Sequence, residues 1–203
     1  MSPETPLRPG VFIAVVGPSG VGKDSLIACA RQHFAGRADI LFCRRTITRT
    51  ADAGAEDHDT MSEVEFARAE ANGAFCASWR AHGLRYGLPS AAAVHVETGG
   101  VAIANCSRAA LDAIRARFPL MLVVSVVASS EVLAARLAGR GRETEAEIRE
   151  RLSRQIDDWP GAAEAVRIDN SGPLDDACSA FIALVEARAF DATSRVSALS
   201  AGR

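Results

Sequence analysis

The sequence predicts an α/β sandwich on a mainly parallel sheet with right-handed crossovers, and three observations predict it. Apolar runs at Val11–Val16, Val101–Asn105 and residues 120–127 are nearly unbroken, as in strands covered on both faces rather than one. Each is followed by a helix-like run, at residues 25–34, 107–118 and 131–154, an order that gives strand, helix, strand crossovers. A glycine-rich turn follows the first run directly, at the carboxyl edge where such sheets bind ligands.

Residues 1–10 hold three prolines and no apolar h-region, so a loose lead-in is expected rather than a signal peptide or membrane anchor. After the first strand and helix, residues 38–42 suit a short strand, and the texture then turns polar through Arg44, Arg45, Arg49 and the loop 51–60. Ser62 stands three residues before Glu65, the spacing of a capping box, and predicts a short helix to about Ala71. Two short strands, at 75–79 and 85–88 around the turn His82-Gly83-Leu84, complete a compact insertion from about 43 to 92.

The core then resumes. Gly99-Gly100 precede the second buried strand, and Pro119 ends the helix before the third. The helical stretch from Glu131 is crowded with arginines and interrupted by Gly139 and Gly141. Residues 166–169 suit a last strand and 174–189 a closing helix, with a frayed tail from Asp191. The expected organisation is a core of residues 10–42 and 93–188, an insertion at 43–92, a lid at about 137–150, and flexible ends at 1–9 and 189–203.

With 203 residues, 48% hydrophobic and 24% charged, the chain is globular and long enough for one good core. A net charge of −2 gives no long-range attraction to nucleic acid or to an anionic membrane, so neither is an expected partner. The oligomeric state is left open. The five cysteines (Cys29, Cys43, Cys76, Cys106, Cys178) are odd in number, scattered and without a Cys-x-x-Cys pair, which argues against a disulfide framework and a zinc site. A reducing cytoplasm fits that pattern.

Residues 17–25, Gly17-Pro18-Ser19-Gly20-Val21-Gly22-Lys23-Asp24-Ser25, read as a phosphate-binding loop between a buried strand and a helix. Glycines let the backbone turn its N–H groups inward, the helix presents its positive end, and Lys23 adds a point charge for the outer phosphates. Asp24 occupies the place where Ser or Thr ordinarily offers a hydroxyl to Mg²⁺, and the hydroxyl of Ser25 comes one residue later.

Two arginine groups lie away from the loop in sequence. Arg44, Arg45 and Arg49 read equally as a solvated positive face or, with Tyr86, as a grip on a second phosphate. In the group from Arg136 to Arg154, Arg149 and Arg154 suit pairing with neighbouring glutamates, whereas Arg140 and Arg142 flank Gly141 in a hinge-like stretch. A lid there would bring guanidinium groups onto a transferring phosphoryl group and exclude water.

The order of these motifs resembles the guanylate-kinase-like group of P-loop kinases over about residues 10–188, and within it the ribose 1,5-bisphosphate phosphokinases. Arg45-Thr46-Ile47-Thr48-Arg49, Glu56 with His58, Ser78-Trp79 with Gly83-Leu84-Arg85-Tyr86-Gly87, Asn105-Cys106-Ser107-Arg108 and Arg140-Gly141-Arg142-Glu143 carry the likeness. Guanylate kinases read guanine with a Glu near the place of Ala77, and no acidic residue occurs from Ala74 to Tyr86. Their second phosphate-binding Arg falls near Asp52, and their Asp after the central strand is Asn105 here.

The resemblance implies a P-loop NTPase-type sheet with an acceptor-binding insertion and an arginine-rich lid. It implies that ATP phosphorylates ribose 1,5-bisphosphate at its 1-phosphate, giving 5-phosphoribosyl 1-diphosphate and ADP, in phosphonate catabolism and the supply of nucleotide precursors. Lys23, Arg140 and Arg142 would then be catalytic, and residues 17–25 with Arg136 and Asn170 would bind ATP. Arg45, Thr48, Arg49, His58, Trp79, Tyr86, Asn105, Ser107, Arg108 and Arg151 would bind the acceptor. Mg²⁺ would be held by Asp24, directly or through water, with Ser25 assisting. An attacking phosphate oxygen is already ionised at pH 7, so His58 and His82 are expected as hydrogen-bonders, and His33 and His95 as ordinary residues. A nucleoside monophosphate kinase acting on GMP and a non-catalytic binding module are the competing expectations.

Overall fold

The computed structural model describes residues 10–48, 58–81, 83–139, 159 and 161–200, with backbone only for 191–200. The expected lid beyond Gly139, with Arg140 and Arg142, lies outside the described residues, as do Arg49, His82 and Arg151.

A five-stranded parallel sheet in the order β2-β7-β1-β8-β9 is made of β1 (Val11–Val16), β2 (Ile40–Cys43), β7 (Val101–Asn105), β8 (Met121–Val127) and β9 (Val166–Asp169). Helices α1 (Lys23–His33), α3 (Ser90–Glu97), α4 (Leu111–Arg117), α5 (Ser130–Ala138) and α6 (Leu174–Ser200) accompany it. A four-stranded sheet in the order β4-β3-β6-β5 comes from the polar stretch, with β3 (Arg45–Ile47), β4 (His58–Thr60), β5 (Phe75–Ala81) and β6 (Leu84–Pro89) beside α2 (Glu63–Ala71).

Period-two alternation explains why the parallel strands are apolar throughout. Ile13 and Val15, Val101 and Ile103, and Val124 and Val126 face one core with α1 and α6; Phe12, Ala14 and Val16, Ala102 and Ala104, and Val123 face the other. Trp79 and Leu88 of the smaller sheet join the second core, so the insertion shares apolar packing with the main sheet. Phe12 stacks on Phe118 at 4.4 Å in that core. Full burial of one such side chain contributes roughly 1.5–3 kcal/mol.

The capping box forms as predicted: Glu65 N donates to Ser62 Oγ at 3.2 Å and Ser62 N to Glu65 Oε2 at 2.8 Å. Three elements were not expected. The strands β3 and β4 are only three residues each, too short to show alternation. Helix α3 is rich in Ala and Val without polar periodicity, because Ala92, Ala93 and Val96 are all buried. The closing helix runs on to Ser200, past Ala189, although its last turns are the tail expected to fray.

The cysteine pattern also needs correction. Cys29 of α1 and Cys178 of α6 form a disulfide, with Cα atoms 6.1 Å apart and a sequence separation of 149. Scattered spacing hid a pair that the packing of α6 on α1 brings together. Closing so long a loop stabilises a chain by about 2–5 kcal/mol. Reductant is therefore expected to lower the urea midpoint of the wild type and leave a Cys29→Ser variant unmoved; equal wild-type midpoints with and without reductant would mean the cross-link contributes nothing.

Candidate active site

The loop between β1 and α1 emerges at the carboxyl edge of the parallel sheet, from its middle strand. Gly22 is the N-cap of α1 and offers no side chain to it, so first-turn N–H groups are left for an anion. Close approach decides its composition. At Gly17, φ is +149° and a Cβ would stand 2.4 Å from the Val126 carbonyl oxygen of β8.

Lys23 folds over the loop, its Nζ donating to the carbonyls of Gly17 (2.8 Å) and Pro18 (2.9 Å). Val21 N donates to Pro18 O at 3.4 Å, closing the turn around Ser19 and Gly20. Two distant residues clamp the outside of the loop: the Val21 carbonyl accepts from Asn170 Nδ2 at 2.7 Å and from Arg136 Nη1 at 3.3 Å. Asn170 is 1% exposed, and its Oδ1 is buried with no hydrogen-bond partner among the described residues. Both residues expected at the nucleotide thus sit against the loop itself.

On the β2 and β7 side, Asn105 Nδ2 donates to Asp24 Oδ1 at 2.6 Å. A cavity of about 320 Å³ opens beside this pair, walled by Asp24, Ser25, Ala28, Arg31 and Cys43 together with Asn105. Arg31 was missed in the sequence, yet Asp24, Ala28 and Arg31 follow the i, i+4, i+7 spacing of one helix face. Burial pushes the Cys43 and Cys106 thiols up to about 12, so both stay protonated and neither is a thiolate nucleophile near neutral pH.

The smaller sheet supplies the other residues. Trp79 and Tyr86, paired across β5 and β6, stack with centroids 5.5 Å apart and planes 6° from parallel; Arg45 of β3 lies 5.6 Å over the same tyrosine ring. Arg108, after β7, lies over Trp159 at 5.5 Å. Thr48 is buried, its Oγ1 accepting from Arg85 N at 2.8 Å, so here its hydroxyl joins β3 to β6. Arg85 in turn pairs with Glu70 of α2, whose carboxyl is held below the usual range by the Ser78 hydroxyl, at 2.5 Å, and by Arg85.

Buried polar atoms on this side without a hydrogen-bond partner among the described residues include Trp79 Nε1, His58 Nδ1 and Ser107 Oγ. An unsatisfied buried group costs about 1–3 kcal/mol, so such a set marks this side as a candidate polar ligand site.

No protein-family model matches the chain. It is 46% identical over 177 residues to the ribose 1,5-bisphosphate phosphokinase of Rhizobium etli, covering 87% of this chain and 90% of that protein. Against the enzyme of the same name from Brucella melitensis the identity is 47% over 182 residues, covering 90% and 94%. The chain belongs to the ribose 1,5-bisphosphate phosphokinase family. A bifunctional ribose 1,5-bisphosphokinase-thymidine phosphorylase of Cupriavidus pinatubonensis matches at 44% identity, over 82% of this chain and 27% of that longer protein.

Among solved structures, guanylate kinase from Anaplasma phagocytophilum aligns with a TM-score of 0.63 at 16% identity, covering 89% of this chain and 86% of that one. A gluconokinase from Sinorhizobium meliloti aligns at 0.51 and 20% identity, covering 93% and 98%. These likenesses carry the P-loop kinase fold. Neither β5 nor β6 of this chain contains an acidic residue, so the carboxylate expected of a guanine-reading site is missing from both strands. Among the described residues no helix is long and apolar enough to cross a membrane.

Proposed function

We propose that this kinase transfers the γ-phosphoryl group of ATP to the 1-phosphate of ribose 1,5-bisphosphate, releasing ADP and 5-phosphoribosyl 1-diphosphate. The observation that carries the reading is the side of the site away from the loop. There the Trp79–Tyr86 stack, Arg45 and Trp79 Nε1, which has no hydrogen-bond partner among the described residues, meet no acidic group on β5 or β6, a surface suited to an anionic sugar and not to a purine edge. The names of the relatives point to the same substrate.

In this mechanism residues 17–23 wrap the donor phosphates with main-chain N–H groups and the Lys23 charge. Lys23 exchanges the Gly17 and Pro18 carbonyls for phosphate oxygens. Asn170 and Arg136 keep the loop in shape through Val21 O. Arg45, Arg49, Arg108 and Arg151 neutralise the acceptor, with His58, Trp79, Tyr86 and Ser107 supplying hydrogen bonds and a flat wall. An oxygen of the 1-phosphate attacks the γ-phosphorus as the bond to the β,γ-bridging oxygen breaks, and the electron pair leaves with ADP. No general base is required. Arg140 and Arg142 close over the transferring group and exclude water.

Mg²⁺ fits the residues present. Asp24 has one carboxylate oxygen engaged by Asn105, and the Ser25 hydroxyl is exposed beside it. Hard oxygen donors in small number suit an ion that arrives with nucleotide phosphates. Among the described residues no group of three or more His, Cys, Asp or Glu could hold a metal alone. When bound, the ion would neutralise charge on the donor phosphates. Asp24→Ala is expected to raise the Mg²⁺ concentration for half-maximal rate at least about tenfold, as losses at metal-site residues do; an unchanged Mg²⁺ titration would remove Asp24 from that role.

The decisive experiment is turnover of ATP with ribose 1,5-bisphosphate, the product identified by mass, beside the same assay with GMP. Product at the mass of 5-phosphoribosyl 1-diphosphate supports the reading. Faster turnover of GMP, or none of either acceptor, sinks it.

A further inference from the structure

Asn105 ends β7 and Asp24 opens α1, and their side chains meet at the carboxyl edge of the sheet. The 2.6 Å contact is short, as expected when an amide donates to a charged carboxylate. Asn105 Oδ1 is buried and without a hydrogen-bond partner among the described residues, so the carboxylate fixes which way the amide points. A flipped amide would set oxygen against oxygen.

In P-loop NTPases generally the helix supplies a hydroxyl to the metal and a strand supplies the carboxylate. Here the acid is on the helix, beside the Ser25 hydroxyl, and a neutral amide ends the strand. A carboxylate held through one oxygen presents its other oxygen in a fixed direction, and such supporting bonds commonly govern metal affinity.

We propose that Asn105 is a positioning residue that orients the Asp24 carboxylate for the metal accompanying ATP, instead of gripping the sugar phosphate. This rests on the reading of Asp24 as a metal-side group. It assigns Asn105 to the donor half of the site although it ends the strand beside the acceptor half.

The test is a double-mutant cycle on the full chain, with Asp24→Ala, Asn105→Ala and the pair, read by electron paramagnetic resonance of Mn²⁺ binding in the presence of ATP. Asn105→Ala is expected to weaken Mn²⁺ about tenfold, leave metal-free ATP affinity and the acceptor KM unchanged, and add nothing in the Asp24→Ala background. Asn105→Ser, which keeps a donor, should stay within about threefold of wild type, and its normal thermal midpoint guards against misfolding. Equal losses from Asn105→Ala in both backgrounds, or a raised acceptor KM with Mn²⁺ binding intact, would overturn the positioning role. Unchanged Mn²⁺ binding in Asp24→Ala would instead overturn the underlying reading of Asp24, and the proposal with it.

Discussion

Replacing Lys23 with Met is expected to lower kcat/KM for ATP and ribose 1,5-bisphosphate by about a thousandfold while the thermal midpoint moves little. Lys23 Nζ rests 2.8 and 2.9 Å from two loop carbonyls, neutral acceptors that water can replace at modest cost to the fold. Against a transferring phosphoryl group the same cation faces full negative charge. At about 4 Å and an effective dielectric of 20, one such pair is worth about 4 kcal/mol, near three decades of rate.

Lys23→Arg should recover less than about a tenth of the lost rate, because a planar fork does not replace a compact ammonium inside a closed loop. Steady-state kinetics beside calorimetric ATP titration will show whether kcat falls further than affinity. A Lys23→Met variant within tenfold of wild type would mean that the lysine never reaches the transferring phosphate.

The loop was the most legible part of the site because its chemistry lies in consecutive residues. Local spacing also gave the Ser62–Glu65 cap and the strands at 101–105 and 166–169, where side-chain pattern alone determines the element. What the sequence concealed are meetings across long separations. Asp24 and Asn105 are 81 residues apart, Val21 and Asn170 149, and Cys29 and Cys178 also 149. Each joins neighbours on different elements through the parallel crossovers, so no local period announces it. Resemblance supplied Asn105 and Asn170 as ligand residues; only the packed structure puts one against Asp24 and the other against the loop backbone.

The second large effect is expected from Gly22→Ala, a change of one methyl group. Gly22 has φ +97°, and a Cβ there would lie 2.4 Å from Asn170 Nδ2. Asn170 cannot simply withdraw: it is 1% exposed, and the same nitrogen holds Val21 O at 2.7 Å. The left-handed backbone costs an alanine about 1–2 kcal/mol. Losing the buried bond adds about 1–3 kcal/mol, a serious fraction of an ordinary domain's 5–15 kcal/mol. Gly36→Ala is the control, since Gly36 has φ +85° and nothing within 4 Å of its would-be Cβ. It should show the backbone cost alone and normal ATP binding, whereas Gly22→Ala should lose about 2–5 kcal/mol in urea unfolding and bind ATP at least tenfold more weakly. Equal behaviour of the two variants would show that the Asn170 clamp does not shape the phosphate loop.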